Sequence, residues 1–570
     1  MNQQELARLI RVARGELPAD LILANARIVN TFNGMVEQGN VAVCGERIAG
    51  IGDYRDAKEV MDMDGCYVAP GFINGHTHIE SSMLHITQYA RAVVPRGTLA
   101  VVTDLHEIAN VCGLDGAKEM LRLAEGLPLD VFLMVPSCVP ATPLETSGAR
   151  IGAEDIQAAL QWRRSIGLGE VMDFPAVLGC EPEALLKLSL ARSGMIDGHA
   201  AGLTGRDLNA YVAAGIGSDH ECTILEEAQE RLARGLWVMI REGSSEKNLA
   251  ALLPAVTDKT FHRCLLVVDD CSCEDLLRDG DIDGVIRKAI HLGLDPVRAI
   301  QMATINAAQC FRLKGLGAVA PGYYASLVIF SSLAKLDIRL AFYRGRIVGR
   351  DGQPFFSAEV AGSGWLRSTV RVKPFGIEAL RIPALKRHQP VIEVVPGQIT
   401  TRMASAVVQV KDGEVVSDTA ADILKLAVIE RHKATGNIGV SLVKGFGLKR
   451  GALASSIAHD SHNIIVVGVE DRDMLAAVNE VERMQGGLAV ASEGSLIAAL
   501  PLPIAGLLSD EPLENVVQQL GSVETAAAEL GCTLASPFSI LSFLALPVIP
   551  HLRLTDLGLV DVDRFELLRF

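Results

Sequence analysis

Residues 70–82 read PGFINGHTHIESS, with His76 and His78 two apart at the end of an apolar run. Along a strand, positions i and i+2 face the same side, so both imidazoles can point into one mouth and share a metal. A pattern this short also occurs in ordinary loops. The residues that follow it decide between the two readings.

Downstream, apolar strand-like runs alternate with helical stretches: TLAVVTDL (98–105) then GAKEMLRLAEG (116–126), DVFLMVPS (130–137) then AEDIQAALQWRRS (153–165), GLGEVMD (167–173) then PEALLKLSLARS (182–193), and on to CLLVVDD (264–270). Such alternation implies parallel strands with crossover helices, with enough units to close a TIM-like (β/α)8 barrel over residues 68–315. Active sites on such barrels sit at the C-terminal strand ends. Glu170 ends GLGE, His199 follows MIDG, His220 follows GIGSD, and Asp269 with Asp270 ends LLVVDD. Four histidines and two carboxylates at successive strand ends suffice for one or two divalent metals, with open positions left for water.

On either side lie short β-rich runs, from Leu21 to Val68 and from Gly315 to Gly352. They are expected to pair into one small β-domain formed by residues 1–67 and 316–356. Beyond a polar connection between Ser357 and Pro390, a C-terminal α/β domain is expected over residues 385–570. Its strands are QPVIEVVPG, ASAVVQVKDGEVV and NIIVVGVED, and its helices AADILKLAVIERHKATG (420–436) and DRDMLAAVNEVERMQG (471–486).

The 570 residues exceed one ordinary domain, and 49% hydrophobic residues with 53 Gly and 23 Pro suit large cores and many turns. Asp and Glu number 68 against 53 Lys and Arg, for a net charge of -15. No basic run could track phosphates, so nucleic acid and anionic lipid are disfavoured as partners. The 11 cysteines are scattered without a CxxC pair, which points to a reducing compartment. The first residues lack a cleavage signal and read as mature, cytoplasmic protein. The apolar stretch from Ile540 to Ile549 is shorter than the ~20 residues of a membrane span and contains Pro547.

The ligand series resembles the amidohydrolase superfamily. The runs PGFINGHTHIESSM, DLHEIANV, VPSCVPAT, GEVMDFPAV, DGHAAGL, DHE, IREGS and VVDD are similar to the adenine deaminase family. So are ATGNIGVSLVKGFGLKRGALASSIAHDSHNIIVVG, LPLPIAG and SFLALPVIP, and the resemblance covers nearly the whole chain. It implies hydrolytic deamination of adenine, a small purine, to hypoxanthine and ammonia by a metal-activated hydroxide. His76, His78, Glu170, His199, His220 and Asp269 would hold one or two divalent metals, with Mn2+ favoured over Fe2+ or Zn2+, in a homo-oligomer. Many amidohydrolases bridge their metals with a carbamylated lysine at the fourth strand. Here Glu170 stands there, as in adenine deaminases, and activity is expected not to depend on bicarbonate.

Asp269 is expected to be both ligand and proton shuttle, with Asp270 its competitor, because adjacent acids cannot both face the mouth of a regular strand. By the same alternation Glu80 should face the mouth and Glu221 should point away. His106 and Glu107 begin like the HExxH of zinc proteases, but Asn110 replaces the second histidine and that reading fails. The pair matches the family's HE instead, in a supporting, substrate-facing or accessory metal role. His459 and His462, in the run HDSH, either approach the substrate or line a lid, or else form a hydrogen-bonded turn. Cys271 and Cys273 read as buried small hydrophobes. Val268 and Cys271 stand where the family pattern has Thr and Arg, and PGYYAS (321–326) replaces PGxxAD. Two alternatives stay open: hydrolysis of a cyclic amide or N-acyl group at the same metals, and a scaffold protein on a catalytically dead barrel.

Overall fold

A computed structural model describes residues 1–358, 364–384, 386–395 and 398–568. Eight parallel strands follow one another in chain order: β1 (Phe72–His78), β2 (Thr98–Asp104), β3 (Asp130–Val135), β4 (Ser165–Val171), β5 (Met195–Gly198), β6 (Ser218–Asp219), β7 (Trp237–Arg241) and β8 (Cys264–Val267). Helices such as His106–Leu123, Pro182–Leu190 and Leu225–Ala233 connect them. β1 to β5 form one hydrogen-bonded array and β6 to β8 another. Asp269–Asp270, directly after β8, pairs in parallel with Thr77–His78 of β1. Between β5 and β6 the Gly217 N–H donates to the Ile196 carbonyl at 2.9 Å. The parallel sheet is thus curled, with its C-terminal strand ends on one rim.

The strands form where the sequence is apolar on both faces. β2 reads TLAVVTD and is buried along its whole length, as a sheet covered by helices requires. Ile73, Val102, Met134, Met239 and Leu265, from five different strands, share one buried cluster.

Nine strands from both sides of this sheet in the chain, within residues 19–70 and 327–354, form a second sheet. Its seam is the antiparallel pairing of Tyr67–Pro70 with Leu327–Phe330, where the Tyr67 and Phe330 rings stack at 5.6 Å. Tyr67–Pro70 lies wholly in this sheet, so the expected boundary between residues 67 and 68 falls inside a strand. Gly71 then separates it from β1.

The third region is built on an eight-stranded sheet with Ile423–Ile429 near its centre. This corrects the expected helix over 420–436. All seven residues of ILKLAVI are buried, and a short run that is apolar on both faces has no periodicity to separate strand from helix. The second expected helix is present as Asp471–Arg483. The expected start of this region, residue 385, and its last two residues lie outside the described residues. No helix among the described residues is long and apolar enough to cross a membrane.

The third region packs on the rim of the curled sheet. Ser509 N–H donates to the Met83 carbonyl at 2.7 Å, and Thr146 N–H to Asp556 Oδ1 at 2.8 Å. On the sheet itself, β6 has only two residues, and an ion pair replaces the missing ladder. Arg231 Nε donates to Asp219 Oδ2 at 2.6 Å, with both side chains fully buried. Asp219 Oδ1 in turn accepts the N–H of Ala200 and of Glu221, fixing the loops that carry His199 and His220. Arg231→Met strands a buried carboxylate and should destabilise the protein by about 3–5 kcal/mol. Differential scanning calorimetry checks this, and an unchanged unfolding temperature would refute it.

Candidate metal centre

His76 and His78 lie on β1, Glu170 on β4, His199 and His220 directly after β5 and β6, and Asp269 after β8. The structure brings all six together. Glu170 sits at the centre, and its two oxygens face different partners. Oε1 is 2.9 Å from His78 Nε2 and 3.5 Å from His76 Nε2. Oε2 is 2.8 Å from His199 Nδ1 and 3.5 Å from His220 Nε2. Asp269 Oδ1 lies on the first side, 3.5 Å from His76 Nε2 and 3.3 Å from His78 Nε2.

His76 and His78 are each turned by a partner behind the ring, whereas His220 Nδ1 is buried without a hydrogen-bond partner. His78 Nδ1 donates to the Asp104 carbonyl at 3.0 Å, which leaves Nε2 as the free lone pair. His76 Nδ1 pairs with Asp197 Oδ2 at 3.2 Å, and Asp197 Oδ1 accepts the Ser218 hydroxyl at 2.6 Å. The Glu170 backbone is held by Asp104 Oδ2, which accepts its N–H at 2.9 Å. Gly169 permits that approach, since a Cβ there would lie 1.9 Å from the same oxygen.

Burial opposes charge on Glu170, yet the facing His220, His199 and His78 hold its carboxyl well below the usual carboxylate range. Asp269 is likewise held low against burial by His76 and His78. His76 Nε2 and Glu170 Oε1 are buried without a hydrogen-bond partner. Three or more ligand atoms converge within 4.8 Å in His76–Glu170–His220 and in His76–His78–Asp269. Buried imidazoles and carboxylates converging on one point fit divalent cations of the Mn, Fe or Zn type.

The remaining expected residues fall around this core. Glu221 corrects the alternation argument. Its carboxylate is 3.4 Å from His220 Nε2 and 3.7 Å from His199 Nδ1, because β6 ends at Asp219 and the alternation stops with it. Asp270 turns away and accepts the Ser81 hydroxyl, while Asp269 takes a left-handed backbone with φ 69°. Glu80 Oε1 accepts the Ile108 N–H at 3.2 Å, and burial pushes its carboxyl up to about 7. His106 stands 4.7 Å from the His78 ring, centroid to centroid. Glu107 reaches His459 and His462 of the third region. Cys271 and Cys273 are buried, and the eleven cysteines are unbonded.

Sequence reasoning missed Arg241, Asp197, Asp104 and Asp219. Arg241, the last residue of β7, donates to Asp269 Oδ2 at 2.9 Å and pairs with Glu221. Its signal was a charged residue ending the apolar run WVMI, and that of Asp197 was its place two residues before His199.

A curled parallel sheet with imidazoles and carboxylates on one rim defines a class, the amidohydrolases. The description "Amidohydrolase family" matches residues 67–353, and "Adenine deaminase C-terminal domain" matches residues 398–566. The chain is 56% identical over 566 residues to an "Adenine deaminase" of Dehalococcoides mccartyi, covering 99% of each. It is 48% identical to "Adenine deaminase 2" of Carboxydothermus hydrogenoformans over 98% of each. With an "Adenine deaminase" of Halalkalibacterium halodurans it shares 45% identity over 98% of this chain and 97% of the other. The chain belongs to the adenine deaminase family of amidohydrolases.

Asp197 carries a direct test. Asp197→Asn keeps the shape but removes the charge that orients His76, so affinity for Mn2+ should fall roughly 10- to 100-fold. Titration of metal-stripped protein reads this, and unchanged affinity would show that Asp197 does not orient the ligand.

Proposed function

We propose that the chain hydrolyses adenine to hypoxanthine and ammonia at the Glu170-centred site. The observation that carries this is the split of the Glu170 carboxylate, one oxygen toward His76 and His78 and the other toward His199 and His220. The full-length relatives named adenine deaminase support the choice of substrate. The six residues His76, His78, Glu170, His199, His220 and Asp269 would hold one or two divalent cations, with manganese first among the candidates. Bound there, they supply Lewis acidity that brings the pKa of water toward neutrality.

The chain's own residues do the rest. Asp269 accepts one proton of the attacking water and passes it to the ring nitrogen as the C–O bond forms, then carries the remaining O–H proton to the amine, so that C=O forms, the C–N bond breaks and ammonia leaves. Arg241 on Oδ2 fixes the rotation of that carboxylate and leaves Oδ1 toward His76 and His78. The cavity of about 450 Å³ between the rim and the third region takes a small planar base.

The same reading treats β1 to β8 as a TIM-type (β/α)8 barrel and the nine-stranded sheet as its small β-domain, with a C-terminal domain over the mouth. It includes a cytoplasmic setting and a homo-oligomer. Protein loaded with Mn2+ should release ammonia from adenine. Asp269→Asn should keep most metal while turnover slows by roughly 10²- to 10⁴-fold, whereas Asp270→Asn should change little. If Asp270→Asn silences the enzyme and Asp269→Asn does not, the shuttle is assigned to the wrong acid.

A further inference from the structure

Among the described residues, β8 has no backbone ladder to β1, so the curled sheet meets itself there through side chains. β1 is irregular at this place. Asn74 stands opposite Val101 of β2 and Thr77 opposite Thr103, three steps on one strand against two on the other. An extra residue of this kind bends a strand and re-aims its side chains.

The Asn74 carboxamide fills the gap. Its Oδ1 accepts the Val268 N–H at 3.2 Å and the His76 N–H at 3.4 Å, and its Nδ2 donates to Asp281 Oδ1 at 3.0 Å. Two backbone donors on one end and a carboxylate on the other allow the amide a single orientation. Asp281, immediately before the helix Ile282–His291, is anchored in turn. Its Oδ2 accepts the Thr98 hydroxyl at 2.8 Å and its Oδ1 that of Tyr89 at 3.3 Å. All four side chains are buried.

This clamp holds the turn into Asp269. The backbone of Asp269 is left-handed, with φ 69°, a conformation that a residue bearing a Cβ keeps only where its surroundings impose it. Downstream, the Thr77 hydroxyl donates to the Asp269 carbonyl at 3.2 Å, and Asp269–Asp270 pairs with Thr77–His78. Upstream, Asn74 holds the Val268 N–H. The same amide oxygen takes the N–H of His76, whose Nε2 stands 3.5 Å from Asp269 Oδ1. One side chain therefore sets the backbone on both sides of that contact.

We propose that Asn74, anchored by Asp281, is a positioning residue for the proton shuttle, fixing the turn that aims Asp269 Oδ1 at the centre of the site. This rests on the role given to Asp269 in adenine hydrolysis above. A small displacement of a general base slows a step that depends on close alignment. Neither Asn74 nor Asp281 lines the 450 Å³ cavity, so the loss should fall on kcat and not on KM.

The test uses full-length, Mn2+-loaded protein with adenine. Asn74→Ala should lower kcat roughly 10- to 100-fold, with KM within about threefold and most of the metal retained. Asn74→Asp should be as slow, since it sets two buried carboxylates face to face. Adding Asp281→Asn to it returns a donor opposite an acceptor and should recover about tenfold in kcat. Hydrogen exchange reads the turn without turnover: the stretch 264–270 should exchange faster in Asn74→Ala and slow again in the double variant. An unchanged kcat in Asn74→Ala, a loss confined to KM, or a double variant no faster than Asn74→Asp would overturn the proposal. Should the variants fail to fold, exchange in the wild type decides. Protection of the Val268 amide equal to that of β8 supports the clamp, and rapid exchange there overturns it. Absence of ammonia release from adenine by the wild type would overturn the adenine reading itself, whereas adenine turnover that Asn74→Ala leaves intact sinks this proposal alone.

Discussion

A carboxylate buried among four imidazoles is costly to hold in place, and Glu170 is such a group. Its two oxygens divide the imidazoles into two pairs, so β1, β4, β5 and β6 must end at one place. The rest of the rim serves that requirement. Asp197 turns His76, the Asp104 carbonyl turns His78, and Asp104 Oδ2 fixes the Glu170 backbone. The Asp219–Arg231 pair fastens the loops after β5 and β6. Arg241 closes the ring by tying Asp269 to Glu221.

Those supports decide what the site can do. An isolated cluster of histidines and acids would collapse into ion pairs or open to water. Here the partners behind His76 and His78 turn Nε2 of each ring toward Glu170 and Asp269, the arrangement a divalent cation needs. The third region completes the enclosure, contributing His459 and His462 to the cavity and anchoring to the rim through Ser509 and Asp556.

Much of this was legible in the sequence because the ligands obey local rules. His76 and His78 are two apart on a strand, and Glu170, His199, His220 and Asp269 each close an apolar run. What was not legible depends on distance or on broken regularity. Glu221 faces the centre because β6 is too short to enforce alternation, and Asp269 departs from it through a left-handed backbone. Ile423–Ile429 is a buried central strand whose flanks resemble a helix in composition. Glu107 meets His459 across 352 residues of chain, and no local pattern announces such a pair.

The central claim is that Glu170 joins two cation positions into one site. Low-temperature electron paramagnetic resonance of metal-stripped protein reloaded with about two equivalents of Mn2+ tests it most directly, as a bridged binuclear centre requires. The account predicts the exchange-coupled spectrum of a bridged manganese pair, lost in Glu170→Gln. A spectrum of isolated, uncoupled Mn2+ at full loading and full activity would contradict it.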